Sequence, residues 1–339
     1  MTQQLTERTV VERRGEVMAV TARHLLFPLV LAVLLLYAYQ TDETVDPGEL
    51  SCGGILAVEE KVVVVTGGCR GLGYQVSLEL ARRGARLVLG CRSSAAARAA
   101  RERILAATGS SRVSVIGLDM ARMKHISTFL YNLRQTHHKV DVLINNAATR
   151  PSPEREETVE GLEVVMATNY LGPLHLSQSL APSMAQGGLI INLVESHSGE
   201  EEELELTDLN SELEYQPGRL YLQSKQLLGE MTRLLAARLP SVSVLSVQPC
   251  PVWPGLHSAL PHLLTSSLLR LLEPVLPSSQ AREAARTVVW LARGGAGQAV
   301  SGQTWHSCEL SSPPSSHHLD LEQLQARSDQ LIQRALGSA

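Results

Sequence analysis

A chain of 339 residues with 44% hydrophobic and 19% charged side chains can bury a sizeable core, which excludes wholesale disorder. A net charge of −4 and a pI near 6.3 leave no basic stripe to displace counterions, which argues against a nucleic-acid partner. The five Cys, at positions 52, 69, 91, 250 and 308, are odd in number and form no C-x-x-C, so neither a disulfide scaffold nor a Cys-rich zinc site is expected, and no metal.

In chain order, residues 1–24 form a polar flank, and Leu25–Tyr39 (LLFPLVLAVLLLYAY) is an unbroken apolar run without a charge. As a helix its 15 residues span about 22 Å, short of the roughly 30 Å hydrocarbon core. A signal-peptide core and a buried helix are the competing readings. No A-x-A cleavage pattern follows at Gln40–Glu43, and an all-round apolar helix ahead of the domain is awkward to bury. The run is therefore read as an uncleaved membrane anchor, with Arg23 and His24 snorkelling and membrane lipid as a partner. Residues 40–55 follow as a linker. Arg8, Arg13, Arg14 and Arg23 precede the run and no Lys or Arg follows until Lys61, which by the positive-inside rule places the rest of the chain in a lumen. The absence of an N-x-Ser/Thr sequon and of a paired-cysteine pattern points the other way. The membrane face stays open.

Over residues 56–310 apolar runs alternate with helical stretches, as in parallel β-α-β units. Lys61–Thr66 is a buried strand, after which Gly67-Gly68-Cys69-Arg70-Gly71-Leu72-Gly73 turns into a helix ending near Arg83-Gly84. Arg86–Gly90 is the second strand, Ser93–Ala107 an Ala/Arg-rich helix, and Val113–Gly117 and Val140–Asn145 the third and fourth strands. The expected fold is α/β, a doubly wound parallel sheet in a single domain behind the anchor helix. A Gly-rich turn between strand and helix lets the backbone approach a pyrophosphate, and the helix N-terminus supplies N–H groups and a positive dipole. No acidic residue follows the second strand. Cys91-Arg92 stands there instead, and Arg70 lies in the turn. Two guanidinium groups near the adenosine ribose suit a 2′-phosphate, so NADP(H) is the expected cofactor.

The segments Thr66–Gly73, Asn145-Asn146-Ala147-Ala148, Asn169 within ATNYLG, and Tyr221-Leu222-Gln223-Ser224-Lys225 resemble, in order and spacing, the short-chain dehydrogenase/reductase family. With four Lys and seven Tyr in the chain, a chance pair at the Tyr221–Lys225 spacing is rare. The N-terminal run, Cys91-Arg92, Asp208-Leu209-Asn210 and Ser301-Gly302 through Cys308 are similar to its membrane-bound retinol dehydrogenase branch, which implies a Rossmann-type sheet and an endoplasmic reticulum membrane location. Tyr221 and Lys225, four apart, share one helix face, and an adjacent ammonium is expected to lower the tyrosine pKa from near 10. Tyr221 then exchanges a proton with the substrate oxygen. The resemblance implies that Lys225 also holds the nicotinamide ribose, that Asn169 opens its helix and holds a relay water, and that Asp119 touches the adenine. It places Gly67, Arg70, Gly71, Leu72, Gly73, Arg92 and Asn146 around the cofactor with Tyr221 and Lys225, and it allows a homodimer.

Three positions depart from the family pattern. The strand that normally ends in N-V-S-S reads Asn192-Leu193-Val194-Glu195-Ser196. Ser196, displaced by a one-residue bulge, is taken as the catalytic serine; the alternative puts Val194 or Glu195 against the substrate. Ala148 replaces a glycine, and Pro249-Cys250-Pro251 replaces the usual Pro-Gly. The acidic segment 199–205 is read as a solvated loop, with repulsion of acidic substrates as its alternative. Leu256–Leu276 is either a core helix or the lid over a hydrophobic substrate. Residues 311–339 form a Ser/Pro linker and a helix over Leu319–Leu336. The resulting function is NADP(H)-dependent interconversion of a lipid-soluble, retinoid-like alcohol with its aldehyde or ketone. The alternative is an inactive NADPH-binding membrane scaffold.

Overall fold

In the computed structural model the described residues are 58–195, 204, 206–249, 279–295, 300–311 and 319–337. The anchor at 25–39, the linker at 40–55, Ser196, Cys250 and the segment 256–276 lie outside them. The sheet belongs to the unit formed by residues 50–254 and 280–339.

Eight strands form one sheet in the order β3-β2-β1-β4-β5-β6-β7-β8. They are β1 (Val62–Thr66), β2 (Arg86–Cys91), β3 (Val113–Gly117), β4 (Val140–Asn145), β5 (Met184–Leu193), β6 (Val242–Val247), β7 (Thr304–His306) and β8 (Glu309–Leu310). All neighbours pair in parallel except the closing β7–β8 hairpin. β1 reads VVVVT because a central parallel strand is covered on both faces. Its side chains alternate accordingly: Val64 enters one core, Val63 and Val65 the other.

Helices cover both faces. On one side lie α1 (Gly71–Arg82), α2 (Ser94–Thr108) and α6 (Ser279–Ala292), packed through Val76 and Leu80, Ala97 and Ile104, and Val288 and Val289. On the other lie α3 (Met123–Thr136), α4 (Gly172–Leu180), α5 (Pro217–Arg238) and α7 (Leu321–Gly337), packed through Ile126 and Phe129, Leu174, Leu227 and Ile332. The expected Rossmann-type doubly wound sheet is therefore present. The α7 helix fits the expected C-terminal amphipathic segment, and Tyr170 bonds Ser328 of α7 at 2.8 Å. No helix among the described residues is long and apolar enough to cross a membrane.

Two local devices position the site. The chain runs from β1 outward to β3 and then returns to β4 beside β1, so a crevice opens at the carboxyl ends of β1 and β4. Ahead of α4 the backbone makes an α turn (Val164–Met166) and then a π segment (Ala167–Leu171). Asn169 sits in that π segment, a helix irregularity that accommodates one extra residue and often occurs at functional sites.

Candidate active site

The turn after β1 is shaped by steric necessity. Gly67 has φ +67°, a left-handed conformation that disfavours any side chain. A Cβ at Gly73 would fall 2.6 Å from the Gly67 carbonyl oxygen, so the helix can approach the turn only through glycine. Asn146, at the end of β4, pins this turn: its Nδ2 donates to Thr66 O at 2.8 Å and to Gly67 O at 3.3 Å. Gly71 (φ +55°) and Leu72 open α1, with Leu72 packed against the core. Arg70 is the N-cap of α1 in extended geometry and supplies no side-chain cap. The first-turn N–H groups are thus left to an external acceptor, which suits a pyrophosphate.

Arg70 and Arg92 are exposed, and among the described residues neither guanidinium has a hydrogen-bond or ion-pair partner. Arg103 of α2 is a third cation at this turn, missed in the sequence reading. It donates to Cys69 O at 3.4 Å and lies 4.4 Å from the Tyr74 ring centroid. Its only sequence signal was its place on the helix after β2, shared with Arg98 and Arg101. Asp119 lies after β3, where its carboxylate accepts from the Ala121 N–H at 3.2 Å. A further difference concerns cysteine. Cys69 of the turn and Cys91 at the end of β2 are joined in a disulfide, although the composition argued against cystine stabilisation. Counting cysteines could not reveal a pair brought together by β1–β2 register, Thr66 opposite Gly90. The glycine cradle, the uncapped helix start and the two unpaired arginines fit a phosphate-bearing dinucleotide.

The reaction side lies at the ends of β4 and β5. Tyr221 and Lys225 occupy the second and third turns of α5. Ser224 lies between them, fully buried, donating to Tyr221 O at 2.7 Å and accepting from Asn169 Nδ2 at 3.0 Å. Asn169 also donates to Thr149 O at 3.0 Å and accepts from Thr149 N at 2.8 Å. Both its amide protons are therefore engaged with protein. The amide ties the π segment to the loop after β4 and to α5.

Lys225 is buried, and its Nζ donates to Leu193 O at 3.1 Å. Burial pulls its pKa down, opposed by the Glu195 charge and aided by Arg150. The Tyr221 hydroxyl donates to the Glu195 carboxylate. Burial, then that hydrogen bond and charge, hold the Tyr221 phenol well above its ordinary range; Arg150, 5.3 Å from the ring centroid, opposes them. This corrects the expectation that the lysine ammonium lowers the tyrosine pKa. The carboxylate governs Tyr221, and the ammonium serves a backbone carbonyl. Of the candidates for the serine position, Val194 is buried and Glu195 is exposed and touches Tyr221. Ser196 lies outside the described residues. Arg150 was not anticipated; nothing in its sequence surroundings marked it. No cluster of three metal-ligating side chains occurs among the described residues.

Residues 61–260 match the short chain dehydrogenase family. The chain is 32% identical to retinol dehydrogenase 12 of Bos taurus over 256 residues, covering 74% of this chain and 78% of that protein. It is 31% identical to retinol dehydrogenase 11 of Mus musculus over 267 residues, covering 76% and 81%. Among solved structures, an uncharacterised protein from Mycobacterium paratuberculosis superposes with a TM-score of 0.64 at 23% identity, over 83% of this chain and 97% of that one. The NADP-containing N-domain of a bacterial malonyl-CoA reductase gives 0.55 at 19% identity, over 74% and 51%. These two likenesses are of fold alone. The sequence relatives and the family match settle the assignment: the chain belongs to the short-chain dehydrogenase family, in its retinol dehydrogenase-like branch, and is an oxidoreductase built for a nicotinamide cofactor.

Proposed function

We propose that this protein is an NADP(H)-dependent oxidoreductase that interconverts a hydrophobic, retinoid-like alcohol and its aldehyde or ketone. The observation that carries the reading is the placement of Tyr221 and Lys225 on one stretch of α5 beside the end of β5, held there by the Asn169–Ser224 hydrogen bond. The cofactor supplies and accepts hydride when bound. Gly67, Gly71, Leu72 and Gly73 seat its pyrophosphate, Asn146 keeps the turn in shape, and Arg70 and Arg92 take the 2′-phosphate. Asp119 would contact the adenine, and Lys225 would hold the nicotinamide ribose. Tyr221 gives its proton to the substrate oxygen in reduction and regains one in oxidation. Ser196 is the proposed additional hydrogen-bond donor to that oxygen.

The retinoid-like substrate class is supported by the names of the relatives and by the apolar segment 256–276. Attachment to the endoplasmic reticulum membrane through residues 25–39, with lipid as neighbour, and pairing with a second copy belong to the same reading. Both rest on sequence and resemblance.

The test is NADPH oxidation by membranes carrying the protein, with a panel of hydrophobic aldehydes including retinal, against Tyr221→Phe. Turnover lost in the variant is the expected result; no turnover by the unaltered protein overturns the reading. One observation favours the alternative of a membrane-tethered NADPH-binding scaffold. The Glu195 contact keeps Tyr221 protonated and occupies its hydroxyl. NADPH binding without turnover of any panel member is the outcome that selects it.

A further inference from the structure

Any substrate turned over here must bring its reacting oxygen to the Tyr221 hydroxyl, and that hydroxyl already donates to the Glu195 carboxylate. Tyr221 stays a neutral hydroxyl in this setting. It can give a proton, but it is no base unless it passes its own proton onward. The group placed to receive that proton is Glu195, exposed just beyond the end of β5. Among the described residues, two cations act in the same group of side chains: Arg150, over the Tyr221 ring, and Lys225, which feels the Glu195 charge.

We propose that Glu195 selects the alcohol form of the substrate over the carbonyl form and accepts the proton that Tyr221 hands on during oxidation. The proposal rests on the oxidoreductase reading above and deepens it. A carboxylate only accepts hydrogen bonds, whereas a serine hydroxyl can also donate. An alcohol set against the Tyr221–Glu195 pair offers its proton to the Tyr221 oxygen while Tyr221 goes on donating to the carboxylate. A carbonyl has no proton to offer. It gains the Tyr221 hydrogen bond only by taking it from Glu195, which leaves the carboxylate without its donor and facing the carbonyl lone pairs.

The proton and electron balance closes. In oxidation the carbon–hydrogen bond breaks with its electron pair going to the oxidised nicotinamide, and the carbon–oxygen double bond forms. The alcohol proton passes to the Tyr221 oxygen while the Tyr221 proton passes to Glu195, which later releases it to water.

The test reads binding in dead-end complexes, so turnover cannot obscure it. Retinol is bound to the full chain loaded with NADPH and followed by its fluorescence; retinal is bound to the chain loaded with NADP⁺ and followed by quenching. The unaltered protein is expected to hold retinol about tenfold tighter than retinal. Glu195→Gln and Glu195→Ser, which each restore a donor, bring the two within about threefold. An unchanged ratio in both variants, or binding of neither ligand, overturns the proposal.

A second readout needs no ligand. Phenolate absorbance at alkaline pH, with the Tyr221→Phe spectrum subtracted, should show Tyr221 ionising at lower pH in Glu195→Gln. An unmoved midpoint also overturns the proposal. If the ratio and the midpoint both shift while membranes turn over neither compound, the oxidoreductase reading fails and the selectivity stands. If turnover depends on Tyr221 while the ratio is unaffected, the reverse holds.

Discussion

From Val62 to Arg92 the cofactor side is built by the main chain: a strand, a turn with a left-handed glycine, and a helix whose start carries no side-chain cap. Around Tyr221 the reaction side is built by side chains: Asn169, Ser224, Lys225, Glu195 and Arg150, drawn from two loops, the π segment and a helix. The first kind of site tolerates almost any residue that fits its backbone and rejects those that do not. The second kind changes its chemistry with one substitution and keeps its shape. A carboxylate on the Tyr221 hydroxyl, where a neutral donor is expected, leaves the fold intact and reverses what Tyr221 experiences.

That contrast can be broken most forcefully at Tyr221. Tyr221→Phe should lower turnover by about 10²–10⁴ while NADPH affinity and melting temperature stay within error. A loss of affinity of similar size would mean that the two sides are not separable. Next is Gly73→Ala, which should cost about 1–3 kcal/mol because the added methyl meets the Gly67 carbonyl and the Asn146 amide. Calorimetry and cofactor titration should report losses in both stability and affinity. Asn169→Ala strands Thr149 and Ser224 and should cost about 1–3 kcal/mol, read by chemical denaturation. Turnover should fall with it, because Ser224 no longer fixes the Tyr221 turn.

Arg92→Asp is expected to weaken NADPH about tenfold more than NADH in parallel titrations. Equal weakening would remove the charge argument for the 2′-phosphate. The smallest effect is one of pH. Tyr170 is fully buried against Ser328, and burial raises its pKa far above the ordinary value near 10. Its contribution is complete below pH 10 and is lost as the pH climbs from there toward the folded-state pKa, since only the unfolded chain ionises. Tyr170→Phe should therefore flatten the alkaline loss of stability between pH 10 and 11.

Strands β1, β3 and β4 were legible to within a residue, because short runs rich in valine and isoleucine, bounded by polar residues or glycine, leave little choice. The Gly-rich turn and the Tyr221–Lys225 spacing were legible for the same reason: each is local in sequence. What was not legible is long-range. Glu195 meets Tyr221 across 26 residues, Asn169 meets Ser224 across 55, and Arg150 reaches the same ring from the loop after β4. Periodicity reports which face a residue takes and says nothing of which residue it will meet there. The lowered tyrosine pKa was expected from spacing on one helix, and it gave way to a carboxylate arriving from another strand.

The Cys69–Cys91 bond has a consequence for how the molecule comes apart. It closes a ring with a sequence separation of 22 that contains the whole of α1 and most of β2. In the chain-entropy account, a ring of this size takes about 3 kcal/mol of conformational freedom from the unfolded ensemble. When the sheet opens, α1 and the end of β2 therefore stay tied to the turn after β1, for as long as the thiol–disulfide balance of the surroundings keeps the bond.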